Sequence, residues 1–510
     1  MLDRFIETMQ DGYSFEWASL LIGKAKLDKE LVAGAEVKIP LKTLNRHGLV
    51  SGATGTGKTK SVQLLCEGLS LAWVPSIVMD IKGDLSGLAQ SGDATNKHII
   101  KRHEALDIAY EAMWFPVELM SLSQEHGIPL RATVTEFWPI LFSKILDLNE
   151  TQASVMGVIF KYCDDRALGL VDLKDMKAVI QFLMKWGKDE LELEYGHMAD
   201  TSLSTIVRKI VALEQQGADK FFGEPSFEVF DLLRNEWGKG TINIVRLVDM
   251  QDKPALFSTF MMSLLAEIYQ SFPEAGDLDK PRLVMVIDEA HLLFKEASKE
   301  LLSQLETIIK LIRSKGVGIF FCTQLPDDVP PVILSQLGCK IQHALRGFTE
   351  RDRKAIKTAV ENYPVSDFYK TDELIMELGI GEAFITCLDE KGIPTPLVHT
   401  YLRAPRSRMD ILTETEIESL TNKSLLVQKY KNPLDPESAF EILQAKIKAK
   451  VEGEDEKKWK WILWSLKWWT LEKMLESKIA KNLAKEAGNI LVRGLLGALW
   501  LKIDKRKTFF

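Results

Sequence analysis

The chain has 510 residues, 65 Lys+Arg against 72 Asp+Glu and a formal net charge of −7; 46% of residues are hydrophobic and 27% charged. That profile excludes a disordered tail and a multi-span membrane protein, and the length calls for one large domain with insertions or two to three units. The acidic balance argues against a generally basic nucleic-acid coat while leaving room for a local basic channel.

The N-terminus, Met1-Leu2-Asp3-Arg4-Phe5-Ile6-Glu7, has no apolar core of the kind a signal peptide needs. No uninterrupted apolar run reaches the length of a transmembrane helix, so the expected setting is cytoplasmic. Residues 1–45 read as a short β-rich segment. Short apolar runs then recur at His47–Ser51, Ile77–Ile81, Thr241–Leu247, Leu283–Asp288, Gly318–Thr323, Lys340–Leu345 and Ala383–Leu388. Near-continuous apolar runs of this length suit strands buried on both faces of a parallel sheet. Helical patterns alternate with them, which predicts an α/β fold with crossover connections. Two core pieces are expected, 46–100 and 236–410. Between them, 101–235 is helix-patterned and poor in β runs, and reads as an all-α insertion. In chain order, Thr241–Leu247 falls between the expected neighbour of the strand at 47–51 and the strand at 283–288.

The tail, 411–510, reads as a helical, basic, Trp-rich region. Residues 446–510 hold 16 Lys/Arg and 8 Asp/Glu, a net +8 that leaves −15 on the rest. Glu452–Glu456 reads as its hinge. Lys457–Trp469 carries five of the 12 tryptophans, with Trp461, Trp464 and Trp468 on one helical face. Such a segment suits docking on its own domain or a neighbour, a membrane surface, or nucleic acid. The five cysteines (Cys66, Cys163, Cys322, Cys339, Cys387) form no CxxC pair, and the histidines lack metal-ligand spacing.

Gly52-Ala53-Thr54-Gly55-Thr56-Gly57-Lys58-Thr59 matches G-x-x-x-x-G-K-[ST] in full, after an apolar strand and before a helix. Gly52 through Thr59, with the following Lys60, are the expected nucleotide-binding residues. The glycines let backbone N–H groups face phosphate oxygens, and the helix N-terminus adds positive partial charge. Lys58 would neutralise the β/γ-phosphates, and the Thr59 hydroxyl would ligate Mg²⁺. Downstream, Leu283–Ile287 ends in Asp288-Glu289. Asp288 would hold Mg²⁺ through water, and Glu289 would act as general base on the attacking water. Gln324, ending a further strand, would sense the γ-phosphate. The cofactors implied are ATP and Mg²⁺. Asp288-Glu289-Ala290-His291 spells a DEAH box, but the Ser-Ala-Thr and Q-R-x-G-R-x-G-R motifs of those helicases are absent.

Together these residues resemble the HerA/FtsK class of P-loop ATPases, most of all the bacterial YjgR-like group with a HerA-type helicase domain. The likeness covers roughly 15–410. It is carried by Arg46-His47-Gly48-Leu49, Asp80–Leu88, Leu148–Gln152, Phe221–Pro225, Leu311–Gly318, Gln336-Leu337-Gly338 and Gln342–Arg346. The resemblance implies a RecA-like core assembled as a ring, often a hexamer, with an arginine from the neighbour completing each site. Arg313 and Arg46 match positions for such an arginine, and Arg346 is a third candidate. Asp80 and Lys82 either support the site, face a polymer, or merely form a turn. The short N-terminal segment departs from archaeal HerA, which carries a full β-barrel there. The resemblance thus implies a ring-forming DNA translocase or helicase. An ATP-driven assembly factor acting on protein partners is the alternative, and a nucleotide-gated scaffold a third reading that Glu289 argues against.

Overall fold

The computed structural model describes residues 1–122, 126–250, 253–295, 299–347 and 350–451; the expected hinge and Trp-rich segment lie outside them. The strands are β1 (Ser19–Leu27), β2 (Glu30–Pro40), β3 (Gly48–Ser51), β4 (Ser76–Asp80), β5 (Val117–Ser121), β6 (Ile128–Pro129), β7 (Asn235–Glu236), β8 (Lys239–Gly240), β9 (Ile242–Arg246), β10 (Leu283–Ile287), β11 (Val317–Thr323), β12 (Cys339–Gln342), β13 (Glu382–Thr386) and β14 (Val398–Leu402). Apart from the small β7–β8 hairpin, they form one sheet ordered β2-β1-β14-β13-β12-β3-β11-β10-β4-β9-β5-β6. From β12 to β6 every pairing is parallel; from β2 to β12 every pairing is antiparallel. This is the expected α/β fold with a mainly parallel central sheet.

All seven apolar runs became strands of this sheet. Every residue of β3, β4, β10 and β11 is buried, because helices cover both faces. On one face Val50, Val78, Val284, Val286, Phe320 and Cys322 pack with Val62, Leu65 and Leu69 of the helix Lys58–Leu71. Side chains alternate across a strand, so Leu49, Met79, Met285, Ile287 and Phe321 face the other way and are equally buried. In the antiparallel arm, β1 largely alternates buried and half-buried positions instead. The amphipathic helix Leu2–Tyr13 packs on it through Phe5, Met9 and Tyr13.

Three differences from expectation matter. First, β4, expected beside the phosphate-loop strand, is separated from β3 by β11 and β10, and β9, expected between β4 and β10, lies outside β4. Second, 101–235 is not wholly helical, because β5 and β6 extend the parallel sheet beyond β9. The Val-Glu-Leu-Met-Ser run of β5 escapes an apolar search because Glu118 sits within it. That buried carboxylate survives by pairing with Arg234 Nη1 at 2.9 Å, and burial still pushes it above the usual carboxylate range. Third, the N-terminal segment opens with a helix before its two strands.

The chain divides into two compact units. The larger holds 1–160, 170–173 and 198–436; the smaller holds, among the described residues, 161–169, 174–197 and 437–451. Within the smaller unit, Asp175 Oδ1 accepts hydrogen bonds from Ser438 Oγ (2.5 Å) and the Phe440 N–H (2.9 Å). These cap the start of the helix Ala439–Val451. Arg166 joins Glu190 and Glu194 in the same unit.

His47, just ahead of β3, makes the larger unit acid-sensitive. It is 2% exposed; its Nε2 lies 2.8 Å from the Ile309 carbonyl and its Nδ1 accepts the Ile319 N–H at 3.0 Å. Only the neutral ring protonated on Nε2 satisfies both partners. Burial lowers its pKa to about 4, against 6.5 in an unfolded chain. The stability this imidazole contributes is whole above pH 6.5 and is lost as pH falls toward 4, amounting to about 3 kcal/mol at the lower limit. Thermal melts between pH 7.5 and 4.5 should show Tm falling with acid in the wild type. The slope should be shallower in His47→Gln, whose amide can serve both partners without titrating. Equal slopes would remove His47 from this role.

Candidate functional site

The parallel strands place their carboxyl ends along one edge, and the loops leaving those ends carry the polar residues. β3 runs into Gly52, whose φ of +149° suits only glycine; a Cβ there would stand 2.5 Å from His343 Cβ. The loop is clasped from behind. Ala53 N–H donates to the Ala344 carbonyl (2.8 Å), and Gly381 N–H donates to the Thr56 carbonyl (3.1 Å). Arg102 in turn donates to the carbonyls of Ile380, Gly381 and Leu402. Gly57, with φ of +113°, opens the helix at Lys58 without a side-chain cap. Uncapped first-turn N–H groups suit an anion.

Lys58 Nζ donates to the loop's own carbonyls, Gly52 at 2.6 Å and Ala53 at 3.1 Å. Its side chain lies folded under the loop, and burial lowers its pKa. The Thr59 hydroxyl donates to Asp84 Oδ2 at 3.0 Å. Lys60, expected with the nucleotide-binding residues, donates its ammonium to the Met409 carbonyl. His343, at the end of β12, is wholly buried beneath the loop; its Nε2 meets Ser61 Oγ at 2.8 Å. Burial and the nearby Lys58 charge lower its pKa to about 4, so it is neutral at physiological pH.

β4 and β10 are parallel neighbours, with Met79 opposite Ile287, so Asp80 and Asp288 leave adjacent strands side by side. Asp80 is locked by its own turn. Its Oδ1 accepts from Gly83 N–H (2.8 Å) and Asp84 N–H (3.3 Å), and its Oδ2 from Leu85 N–H (3.1 Å). Asp80, Asp84 and Asp288 each bring a carboxylate oxygen within 4.8 Å of the others. Burial, then Asp84, raises Asp80 to about 7; burial raises Asp288 too, against the opposing pull of Lys82 and Cys322. Asp84 Oδ1 is buried with no hydrogen-bond partner. Crowded carboxylates, an orphaned buried oxygen and the adjacent Thr59 hydroxyl form an all-oxygen set that fits a hard divalent cation such as Mg²⁺. Reading along the sequence found Thr59 and Asp288 but not Asp84. The available signal was the D-x-x-x-D spacing after an apolar strand, whose meaning depends on which strand β4 adjoins.

Glu289 is 7% exposed and has a φ of +46°, rare for a residue with a side chain. Its Oε1 pairs with Lys82 Nζ. His291 Nδ1 lies 3.1 Å from Oε2 but is misaligned, so that buried oxygen accepts no hydrogen bond. Gln324 follows β11 at the same edge, exposed, and the pairing of Thr323 with Ser51 puts it level with Gly52.

The arginines divide. Arg346, also at this edge, donates to the Met376 carbonyl at 2.7 Å. Arg46 and Arg313 precede β3 and β11, at the opposite edge. The seven residues of β11 set Arg313 roughly 20 Å from the loops at its far end, at about 3.3 Å per residue. Neither arginine serves the phosphate loop of its own chain.

The family model "Helicase HerA-like C-terminal" matches residues 26–461. Three relatives are described as "DNA double-strand break repair helicase HerA". The one from Sulfurisphaera tokodaii is 21% identical over 67% of this chain and 63% of its own length. The one from Sulfolobus acidocaldarius is likewise 21% identical, with the same coverages. This chain therefore spans slightly less than two thirds of those relatives. Among solved structures, the bacterial conjugative coupling protein TrwB aligns over 80% of this chain and 94% of its own, with a TM-score of 0.51 at 15% identity. That likeness is one of fold: a RecA-like P-loop core.

Proposed function

The chain belongs to the HerA-like helicase C-terminal family, and from that premise we propose that it is a Mg²⁺-dependent ATPase motor acting as a ring-forming translocase or helicase on DNA. The observation that carries the ATPase reading is the convergence of Lys58, Thr59, Asp84, Asp288 and Glu289 at one edge of the sheet. Lys58 would leave the Gly52 and Ala53 carbonyls for the β/γ-phosphates. Thr59, Asp84 and Asp288 would hold Mg²⁺, with Asp80 fixing the turn that presents Asp84. The bound ion would supply positive charge against the phosphate oxygens. Glu289, through Oε2, which accepts no hydrogen bond, would orient the attacking water and take its proton, and Gln324 would meet the γ-phosphate.

The wrong-edge position of Arg46 and Arg313 supports a ring, because an arginine turned away from its own loop can complete a neighbour's site. DNA as the polymer is supported by the helicase relatives and by the family. Among the described residues, no helix is long and apolar enough to cross a membrane.

The test is turnover by the purified full-length chain with and without single- and double-stranded DNA, at several salt concentrations. DNA should stimulate turnover, and the DNA concentration needed should rise steeply with salt, since each phosphate contact contributes a slope of about 0.7–0.9 in log K against log salt. Turnover indifferent to DNA at low salt would turn the reading toward an ATP-driven assembly factor for protein partners. No turnover under any condition would leave a nucleotide-gated scaffold.

A further inference from the structure

We infer that Lys82 is a positioning residue that holds Glu289 until the γ-phosphate of a bound nucleoside triphosphate draws it away. This rests on the ATPase reading above and adds a residue to it.

The turn after β4 is held from within. Asp80 pins the backbone N–H groups of Gly83, Asp84 and Leu85, and Gly83 takes a φ of +76°. The backbone around Lys82 is thus fixed, and what can move is its four-carbon side chain, 36% exposed at the edge of the site. Asp84, two residues on, is committed to Thr59. The same short turn therefore reaches the cation site with one side chain and the general base with another.

Glu289 is the opposite case. Its side chain is 9% exposed and its backbone is held at positive φ, so it has little freedom of its own. The Lys82 ammonium occupies one oxygen of that carboxylate, Oε1. The state described is one of restraint on both sides: Lys82 occupies Glu289, and Lys58 occupies the Gly52 and Ala53 carbonyls. Both lysines sit where phosphate charge would arrive.

A triphosphate brings a γ-phosphate whose charge competes with Glu289 for Lys82. When Lys82 transfers, Glu289 is freed as a base at the moment its substrate is present. A diphosphate has no γ-phosphate and leaves the Lys82–Glu289 pair closed. No bond is made or broken in this exchange; one ion pair replaces another.

The test is a double-mutant cycle on binding, using the full-length chain with Mg²⁺ and either ADP or the non-hydrolysable analogue ADPNP. Lys82→Met should weaken ADPNP roughly tenfold or more, the worth of a hydrogen bond to a charged group, while ADP affinity stays put. Lys82→Arg should restore most of the loss. Glu289→Gln should tighten ADPNP several-fold by releasing Lys82, and that gain should vanish in the Lys82→Met background. Unchanged ADP binding shows that the variants are folded. Equal effects of Lys82→Met on ADP and ADPNP, no effect on either, or a Glu289→Gln gain that persists without Lys82 would each overturn the inference. Wild-type protein that binds neither nucleotide would instead sink the ATPase reading itself.

Discussion

Glu289→Gln should stop ATP hydrolysis while leaving nucleotide bound. Glutamine keeps the shape of the side chain but cannot take a proton from water, and general-base catalysis is worth about 10²–10⁴ in rate. The site makes the separation clean. Glu289 lies beyond β10, with Oε2 free of hydrogen bonds, whereas the phosphate loop is built and clasped by other residues: Ala344, Gly381 and His343. Lys58→Ala is the contrasting case. Lys58 is the buried cation of the loop itself, and its loss removes charge that ground-state phosphates need, so binding should weaken as well as turnover. Binding by equilibrium titration and turnover by phosphate release, measured on both variants, check the pair. Wild-type turnover in Glu289→Gln would remove Glu289 from the base role, and unaltered binding in Lys58→Ala would remove Lys58 from the phosphate site.

Arg313→Ala should lower turnover by about 10³–10⁵, the effect of an arginine that stabilises charge on the transferring phosphoryl group. The sheet makes this expectation sharp. Arg313 is exposed and precedes β11, a full strand length from the loops of its own chain, so any catalytic effect must cross to another copy. Mixing Arg313→Ala protein with Glu289→Gln protein should therefore recover activity that neither has alone. An interface in which the first supplies Glu289 and the second supplies Arg313 is complete. Failure of the mixture to recover activity, in complexes shown to contain both variants, would place Arg313 outside the site. Full-rate turnover by a dilute monomer would remove the need for a neighbour altogether.

The placement of the residues at the phosphate edge was legible because they lie close together in the chain. The strand Gly48–Ser51, the turn with its glycines, and the helix from Lys58 form one local unit whose spacing has a single physical use. Leu283–Ile287 followed by Asp288-Glu289 is equally local: a continuously apolar strand must be central, and two carboxylates at its end must face the same edge as the loop. The seven apolar runs all became strands for the same reason. β5 did not announce itself, since Glu118 interrupts it and its partner Arg234 is more than a hundred residues away.

What the tertiary structure alone decided is which of these ends meet. Strand order is set by crossover connections and sheet packing, not by chain order, and it put β11 between β3 and β10 and made β4 the neighbour of β10. Only that adjacency joins Asp80 and Asp84 to Asp288, and Lys82 to Glu289. The pairing of β12 with β3 in turn sets His343 beneath the phosphate loop. Local spacing determined the identity of the phosphate loop, the apolar strands and the acidic pair, because those depend on neighbours in sequence. The second row of carboxylates and the hold on the base depend on the order of strands in a sheet, which no local pattern encodes.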